Sequence, residues 1–254
     1  MNLPLCTFEA TQRLRHAVTA HAPATFASSF GVEDMVILDL IAALDLPVEV
    51  FTLDTGRLHD ETHAFIDAVR QRYGRPVRLY APEAADIEPF VAAHGPNPFY
   101  RSTDLRKQCC ELRKVRPLAR ALEGKNLWIT GLRRDQSVTR TDTPILARDA
   151  QHGLMKLCPL ADWQEDDVWS YLRAHDVPTH PLHQRGFPSI GCAPCTRAVM
   201  PGEDPRSGRW WWEAAAEREC GIHIDAQGRV VRARAAAISP KRVATPCCCT
   251  TTPR

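Results

Sequence analysis

Two hydrophobic periods alternate along the first half of the chain. The runs ATFASSF (24–30), PVEVFTLDT (47–55), PVRLY (76–80) and NLWITGL (126–132) are short, apolar and bounded by turn residues, the pattern of strands. EDMVILDLIAAL (33–44), DETHAFIDAVRQRY (60–73) and DLRKQCCELRKVRPLARAL (104–122) lie between them and carry helical spacing. This order predicts right-handed βαβ crossovers and an α/β fold, a mostly parallel sheet with helices on both faces. Ligands of such a sheet sit beyond the carboxyl ends of its strands. QEDDVWSYLRAH (164–175) is the last clear helix, and from Pro178 onward Pro and Gly become frequent and the periodicity fades. Residues 1–177 therefore read as one α/β domain, and 178–254 as an extension that serves it rather than as a second domain. No internal repeat is evident.

A chain of 254 residues, 44% of them hydrophobic, can bury a substantial core. Its 32 basic and 30 acidic residues nearly cancel, so the bulk charge calls for neither nucleic acid nor a membrane, although local basic clusters can still bind an anion. No run reaches the eighteen or so apolar residues of a membrane span, and MNLPLCTFEATQRLRH lacks the apolar centre of a secretory signal. A cytoplasmic protein is expected. In that compartment ten cysteines point to metal ligation or redox chemistry rather than to a disulfide framework.

Candidate chemistry gathers at the predicted strand ends. SSFGVEDM places Ser28, Ser29, Phe30 and Gly31 between a strand and a helix whose first turn holds Glu33 and Asp34. Backbone N–H groups at such a junction can hold an anion; an ordinary capped turn is the alternative. LDTGRLHDET puts Leu53, Asp54, Thr55 and Gly56 at the same edge, and RRDQSVTR brings Arg133, Arg134 and Arg140 there. Arginine forks suit phosphate or sulfate, and a solvated basic loop is the plainer reading.

KQCCELRK supplies adjacent Cys109 and Cys110, and GCAPC supplies Cys192 and Cys195. Structural zinc is the conservative reading of four thiolates, but zinc ligands usually come as two spaced pairs. Neighbouring side chains on a helix point about 100° apart, which suits one compact ion poorly. The separate iron corners of an iron-sulfur cluster fit better. A thioredoxin-like C-x-x-C is disfavoured, because GCAPC follows a loop and not a strand-to-helix junction.

Taken together, SSFGVEDM, LDTGRLH, the adjacent cysteines with Lys114, TGLRRDQSVTR, SIGCAPCTRAV, GEDPRSGRWWWE and ECGIH resemble bacterial assimilatory adenylyl-sulfate reductases, from about Thr25 to His223. The resemblance implies an adenine-nucleotide α-hydrolase-like fold and a 4Fe-4S cluster on Cys109, Cys110, Cys192 and Cys195. It also implies reduction of adenosine 5'-phosphosulfate to sulfite and AMP, with thioredoxin or a similar dithiol protein as electron donor. By similarity the loops at Ser28, Ser29, Phe30, Gly31 and at Leu53, Asp54, Thr55, Gly56 cradle the nucleoside. Lys114, Arg133, Arg134, Arg140, Arg206, Arg209 and His223 are then candidates for the phosphosulfate. Lys114 follows Cys110 by four positions and so shares its face if the helix continues. With Cys192 and Cys195 given to the cluster, Cys220 remains as the nucleophile that would form an S-sulfocysteine, its pKa lowered by neighbouring cations. A homo-oligomer is expected.

Cys158 and His180 depart from the family's pattern, where asparagine is usual. Trp210, Trp211 and Trp212 read as a packing anchor. Cys247, Cys248 and Cys249 lie in a tail with no expected catalytic part, and Cys6 has no assignment. Two further functions stay open. One is a 3'-phosphoadenylyl-sulfate reductase, disfavoured by the cluster cysteines. The other is a metal-stabilised nucleic-acid-binding protein using GRVVRARAAAISPKR as a basic arm, disfavoured by the near-neutral charge.

Overall fold

The computed structural model describes residues 3–136 and 140–213. Six strands form one sheet: β1 (Ala24–Ala27), β2 (Val48–Leu53), β3 (Val77–Tyr80), β4 (Leu127–Ile129), β5 (Leu146–Asp149) and β6 (Leu154–Leu157), in spatial order β3-β2-β1-β4-β6-β5. All neighbours run parallel except β5, which pairs antiparallel with β6 at one edge. The chain winds outward from β1 through β2 to β3, then returns to place β4 on the other side of β1. The crevice between the ends of β1 and β4 is thus the topological switch point, where α/β sheets bind ligands.

Side-chain alternation along the strands assigns the two faces. Phe26, Val48, Val50, Leu127 and Ile129 point into the larger core. There they meet α1 (Leu3–Ala20) through Leu14, α2 (Val32–Ala43) through Val36 and Ile37, α3 (Asp60–Tyr73) through Phe65, and α7 (Glu165–Ala174) through Val168 and Tyr171. The intervening Phe51 and Trp128 point the other way, onto Leu118, Ala121 and Leu122 of α6 (Arg116–Leu122). Helices on both faces, the α/β arrangement expected from the sequence, follow from this period of two.

Four elements were not legible as such. α1 lays Cys6, Ala10, Leu14 and Ala17 on the core at four- and three-residue spacing, but Ala and Cys weaken its apolar stripe. α4 (Ala84–His94) buries only Phe90. β5 and β6 are four residues each and joined by a tight turn at Gly153, φ 72°.

One expectation needs correction: residues 104–122 are not a single α-helix. α5 (Thr103–Cys110), capped by Ser102 Oγ accepting from Leu105 N, gives way to a π-helical turn over Glu111–Val115 before α6 resumes. Pro117 has no N–H to return to the Arg113 carbonyl, and its ring crowds that carbonyl. The turn widens, and Arg116 N donates five residues back to Glu111 O.

Beyond α7 the chain runs in short helical turns, Pro181–Arg185 and Ala193–Cys195. His180, fully buried, accepts from Leu182 N through Nδ1 and meets Thr62 Oγ1 at 2.9 Å through Nε2, which pins this segment to α3. Thr196 and Arg209 form an antiparallel bridge that folds 196–209 back on itself. Among the described residues, no helix is long and apolar enough to cross a membrane.

Candidate active site

The first loop is held by its own side chains. Phe30 sits in the left-handed region at φ 60°, unusual for a bulky residue, with its ring fully buried edge-on to Phe65 at 6.0 Å. Ser28 Oγ accepts from Phe30 N at 3.1 Å. Ser29 donates through N and Oγ to Asp34 Oδ2 at 2.6 and 2.9 Å. Burial dominates the Asp34 environment and pushes its carboxyl up to about 7, against the lowering effect of the two Ser29 donors.

The switch-point wall from β4 packs directly on this carboxylate. At Gly131 an added Cβ would lie 2.3 Å from Asp34 Oδ1, so only glycine allows the approach. Arg133 is buried rather than presented to a ligand. It donates to Glu33 at 2.9 Å and to the Trp163 carbonyl at 3.3 Å, and thereby ties the β4 loop to α2. Half-buried Arg134 donates to Thr143 O at 2.9 Å, and Arg140 to Gln136 Oε1 at 2.6 Å. Asp54 accepts from Gly56 N at 2.9 Å, and Gly56 turns the loop at φ 65°. Leu53 closes β2 and packs with the second core.

Beside these loops lies a cavity lined by Cys109, Cys110, Cys192 and Cys195, with Lys114, Arg57, Arg106, Arg113, Phe99 and Pro194. The four cysteines come from two regions of the chain: α5 delivers the adjacent pair, and the Ala193–Cys195 turn delivers the other two. Two contacts dock that turn, Ala193 N on Arg57 O at 2.8 Å and Tyr100 OH on Pro194 O at 2.7 Å. Thr55 joins the β2 loop to the thiol side. Its Oγ1 is 3.3 Å from Cys192 Sγ, and its carbonyl accepts from Arg113 Nη1 at 2.7 Å. No disulfide links the described cysteines. Among the described residues, no three His, Cys, Asp or Glu side chains surround a point that could hold a single metal ion.

Burial raises the Cys109 and Cys195 thiols, Cys195 to about 12; Cys192 as a thiolate raises both, and Cys109 adds to the rise at Cys195. Arg113 and Arg57 act in the opposite sense on Cys109, and Lys114 and Arg209 on Cys195.

Sequence reading placed Lys114 with the cysteines, and it lines their cavity. It missed Arg57, Arg106 and Arg113, although each stands inside a quoted motif. Arg209 is buried: its guanidinium lies 4.7 Å over the Trp210 ring and donates to Ile190 O at 3.1 Å, in space that a Cβ on Gly191 would fill. Arg206 N donates to Asp204 Oδ1 at 2.7 Å in a half-buried turn. Cys158 is buried beneath the sheet edge and its thiol is pushed up to about 11 by desolvation. Cys220, His223, the basic arm and the cysteine-rich tail lie outside the described residues.

Fold and site together define an α/β protein with a switch-point crevice and a basic, cysteine-lined centre against it. Residues 23–198 match the model of the phosphoadenosine phosphosulfate reductase domain, and the chain belongs to that family. It is 52% identical over 204 residues to an adenosine 5'-phosphosulfate reductase of Burkholderia cepacia, covering 80% of this chain and 82% of the relative. The corresponding enzyme of Allochromatium vinosum is 52% identical over 198 residues, covering 78% and 77%. Among solved structures, a phosphoadenylyl-sulfate reductase from Candida auris superposes with a TM-score of 0.64 at 28% identity, over 75% of this chain and 90% of that one. The FMN adenylyltransferase of Candida glabrata shares the fold alone, with a TM-score of 0.54 at 15% identity over 90% of this chain and 79% of that one.

Proposed function

We propose that the protein reduces adenosine 5'-phosphosulfate to sulfite and AMP, in the assimilation of sulfate toward cysteine. The observation that carries this reading is the joint cavity. Four thiols and four basic side chains adjoin the switch-point loops of a chain half-identical to enzymes named for that substrate. Ser28 to Gly31 and Leu53 to Gly56 are assigned to the nucleoside. Lys114, Arg134, Arg140, Arg206, Arg209 and His223 are assigned to the phosphosulfate, and Arg133 to shaping the loop that meets it.

Cys109, Cys110, Cys192 and Cys195 would hold a 4Fe-4S cluster. Three features support the fit. The adjacent pair cannot converge on one small ion without distortion. Burial raises the Cys109 and Cys195 thiols, and a bound cationic group would act in the opposite sense. The indole Nε1 of Trp210, which packs with Cys192 and Cys195, is buried with no hydrogen-bond partner among the described residues, a donor that a cluster sulfur could engage. When bound, the cluster would order the site and add to its field beside Lys114.

In the reaction the Cys220 thiolate attacks the sulfate sulfur. A sulfur–sulfur bond forms, the sulfur–oxygen bond to the phosphate breaks, and AMP leaves with the electron pair. A thiolate of thioredoxin or a similar dithiol protein then attacks Cys220 Sγ and releases sulfite with the bonding pair. The second donor thiol closes the donor's disulfide, which completes a two-electron reduction and frees Cys220. Residues 178–254 complete both the cluster and the active site of the nucleotide-binding domain 1–177. A cytoplasmic homo-oligomer belongs to the same proposal.

The test is a single turnover with sulfur-labelled substrate and no donor. One AMP per chain should be released and one label should sit on the Cys220 peptide. Cys220→Ser should bind the nucleotide but release none, since a hydroxyl near neutral pH is far less ionised than a thiol. Label on Cys247, Cys248 or Cys249 instead would remove the assignment. The family also embraces enzymes named for the 3'-phosphorylated substrate. Competition between the two nucleotides distinguishes that reading, with adenosine 5'-phosphosulfate expected to win.

A further inference from the structure

A ring of hydrogen bonds runs through Arg57, a residue to which the reaction above gives no part. Its side chain reaches the segment before α5: Nη1 donates to Asn97 Oδ1 at 2.7 Å, and Nη2 donates to the Pro96 carbonyl. The same guanidinium lies 5.6 Å from the centroid of Phe99, a ring that is 1% exposed. Its main chain reaches the other way, where the Arg57 carbonyl accepts from Ala193 N at 2.8 Å. Tyr100 closes the ring, its OH donating to Pro194 O at 2.7 Å.

Both cysteine pairs adjoin this ring. Ala193 and Pro194 are the two residues between Cys192 and Cys195. On the other side, the helical turn Pro98–Tyr100 leads to Ser102, which caps the helix that ends in Cys109 and Cys110. Phe99 belongs to one apolar cluster with Cys192 and Cys195, against which Cys109 packs. Arg57 N donates to Thr55 Oγ1 at 3.2 Å, the same oxygen that approaches Cys192 Sγ at 3.3 Å. Reaching a side-chain amide and a main-chain carbonyl at once takes the planar fork of arginine, which a single ammonium does not match. The clasp on Asn97 and Pro96 lies at the surface, where a hydrogen bond to protein replaces one to water at little net gain. Its effect is therefore on placement more than on stability.

We propose, on the reading that the four cysteines hold a 4Fe-4S cluster, that Arg57 is a positioning residue: its clasp on residues 96–99, with its carbonyl on Ala193, sets where the Cys109 and Cys110 pair lies relative to Cys192 and Cys195. Replacing the side chain keeps the carbonyl bond and releases only the 96–99 side, so the two pairs shift against each other while the fold remains.

The test uses the full-length, iron-loaded chain, kept anaerobic, with Arg57→Met, Arg57→Lys, Asn97→Ala and the double substitution Arg57→Met with Asn97→Ala. Two quantities are read on each: the rate at which an iron chelator bleaches the visible absorbance, and the resonance Raman bands of the iron–cysteine stretches in the intact cluster. Arg57→Met should shift the bands and speed bleaching about fivefold or more, within the coupling range of groups that share partners. Arg57→Lys keeps the charge but reaches one acceptor at a time, so it should fall between. Asn97→Ala should move both quantities the same way by less, and the double substitution should go no further than Arg57→Met alone. Original bleaching and bands in Arg57→Met overturn the inference. Faster bleaching with unmoved bands overturns it too, because the side chain would then steady the fold without setting the thiolates. Full recovery in Arg57→Lys, or additive effects in the double substitution, would mean that charge and not the clasp is what acts, with the same result. If the unsubstituted chain holds no iron, the cluster reading falls, and the positioning role with it.

Discussion

Asp34 shows how much one buried carboxyl can set. Its raised pKa, about 7, means that the folded chain holds a proton which the unfolded chain releases near 4. Over that interval the native state binds more protons, so the stability contributed by this group falls as pH rises and levels off above about 7. Asp34→Asn removes the titration. Urea unfolding at pH 5 and at pH 8 should show the substituted protein gaining roughly 2 to 3 kcal/mol on the original between the two conditions. An unchanged difference would mean that Asp34 is ionised throughout. Its neighbour Gly131 supplies a second expectation. Gly131→Ala places a methyl 2.3 Å from Asp34 Oδ1, the carboxylate must turn, and the two Ser29 bonds loosen. Each is worth about 1 kcal/mol, so calorimetry should record nucleotide affinity falling roughly five- to thirtyfold while iron content stays constant.

At the scale of elements, the π-helical turn decides where the helix after the cysteine pair points. Lys114 and Arg113 reach the cavity from within that turn, and the turn exists because Pro117 withholds a donor from the Arg113 carbonyl. Pro117→Ala restores the N–H and allows α-helical closure. Thermal unfolding should then show an unharmed or firmer helix, while the iron held by the proposed cluster falls, because the two cations rotate relative to Cys109 and Cys110. Retention of full iron would show that the wide turn has no bearing on the site. Periodicity did not reveal this turn, because the helical spacing of 104–122 continues through it; the sequence signal was Pro117, whose missing N–H interrupts the ladder four residues back. β5 and β6 escaped notice for a different reason: four-residue strands give two repeats of a period-two pattern, too few to stand out.

For the whole molecule, the cysteine cavity is the place where distant parts of the chain meet. Cys110 and Cys192 are separated by α6, β4, β5, β6 and α7, and iron bound to both would cross-link them. With the proposed cluster in place, chelating its iron under anaerobic, reducing conditions should therefore lower stability by about 3 to 5 kcal/mol, the scale of a covalent link closing a loop of this length. Urea unfolding followed by circular dichroism before and after chelation measures it. Identical midpoints would count against a cross-linking cluster.

The order of elements, the parallel sheet and the two strand-end loops were legible in the sequence because each rests on local period and turn chemistry. The cysteines and Lys114 were legible as a group because their motifs are short and distinctive. Which arginines serve the site was not. Arg133 reads from the sequence as a ligand group and is engaged by Glu33, whereas Arg57, Arg106 and Arg113 drew no assignment from the sequence and line the cavity. A guanidinium's role depends on which carboxylate, carbonyl or ring lies within reach of its fork, and those partners are brought to it by packing from far along the chain. The tertiary structure alone therefore decided which partner each guanidinium meets and which of them border the thiols.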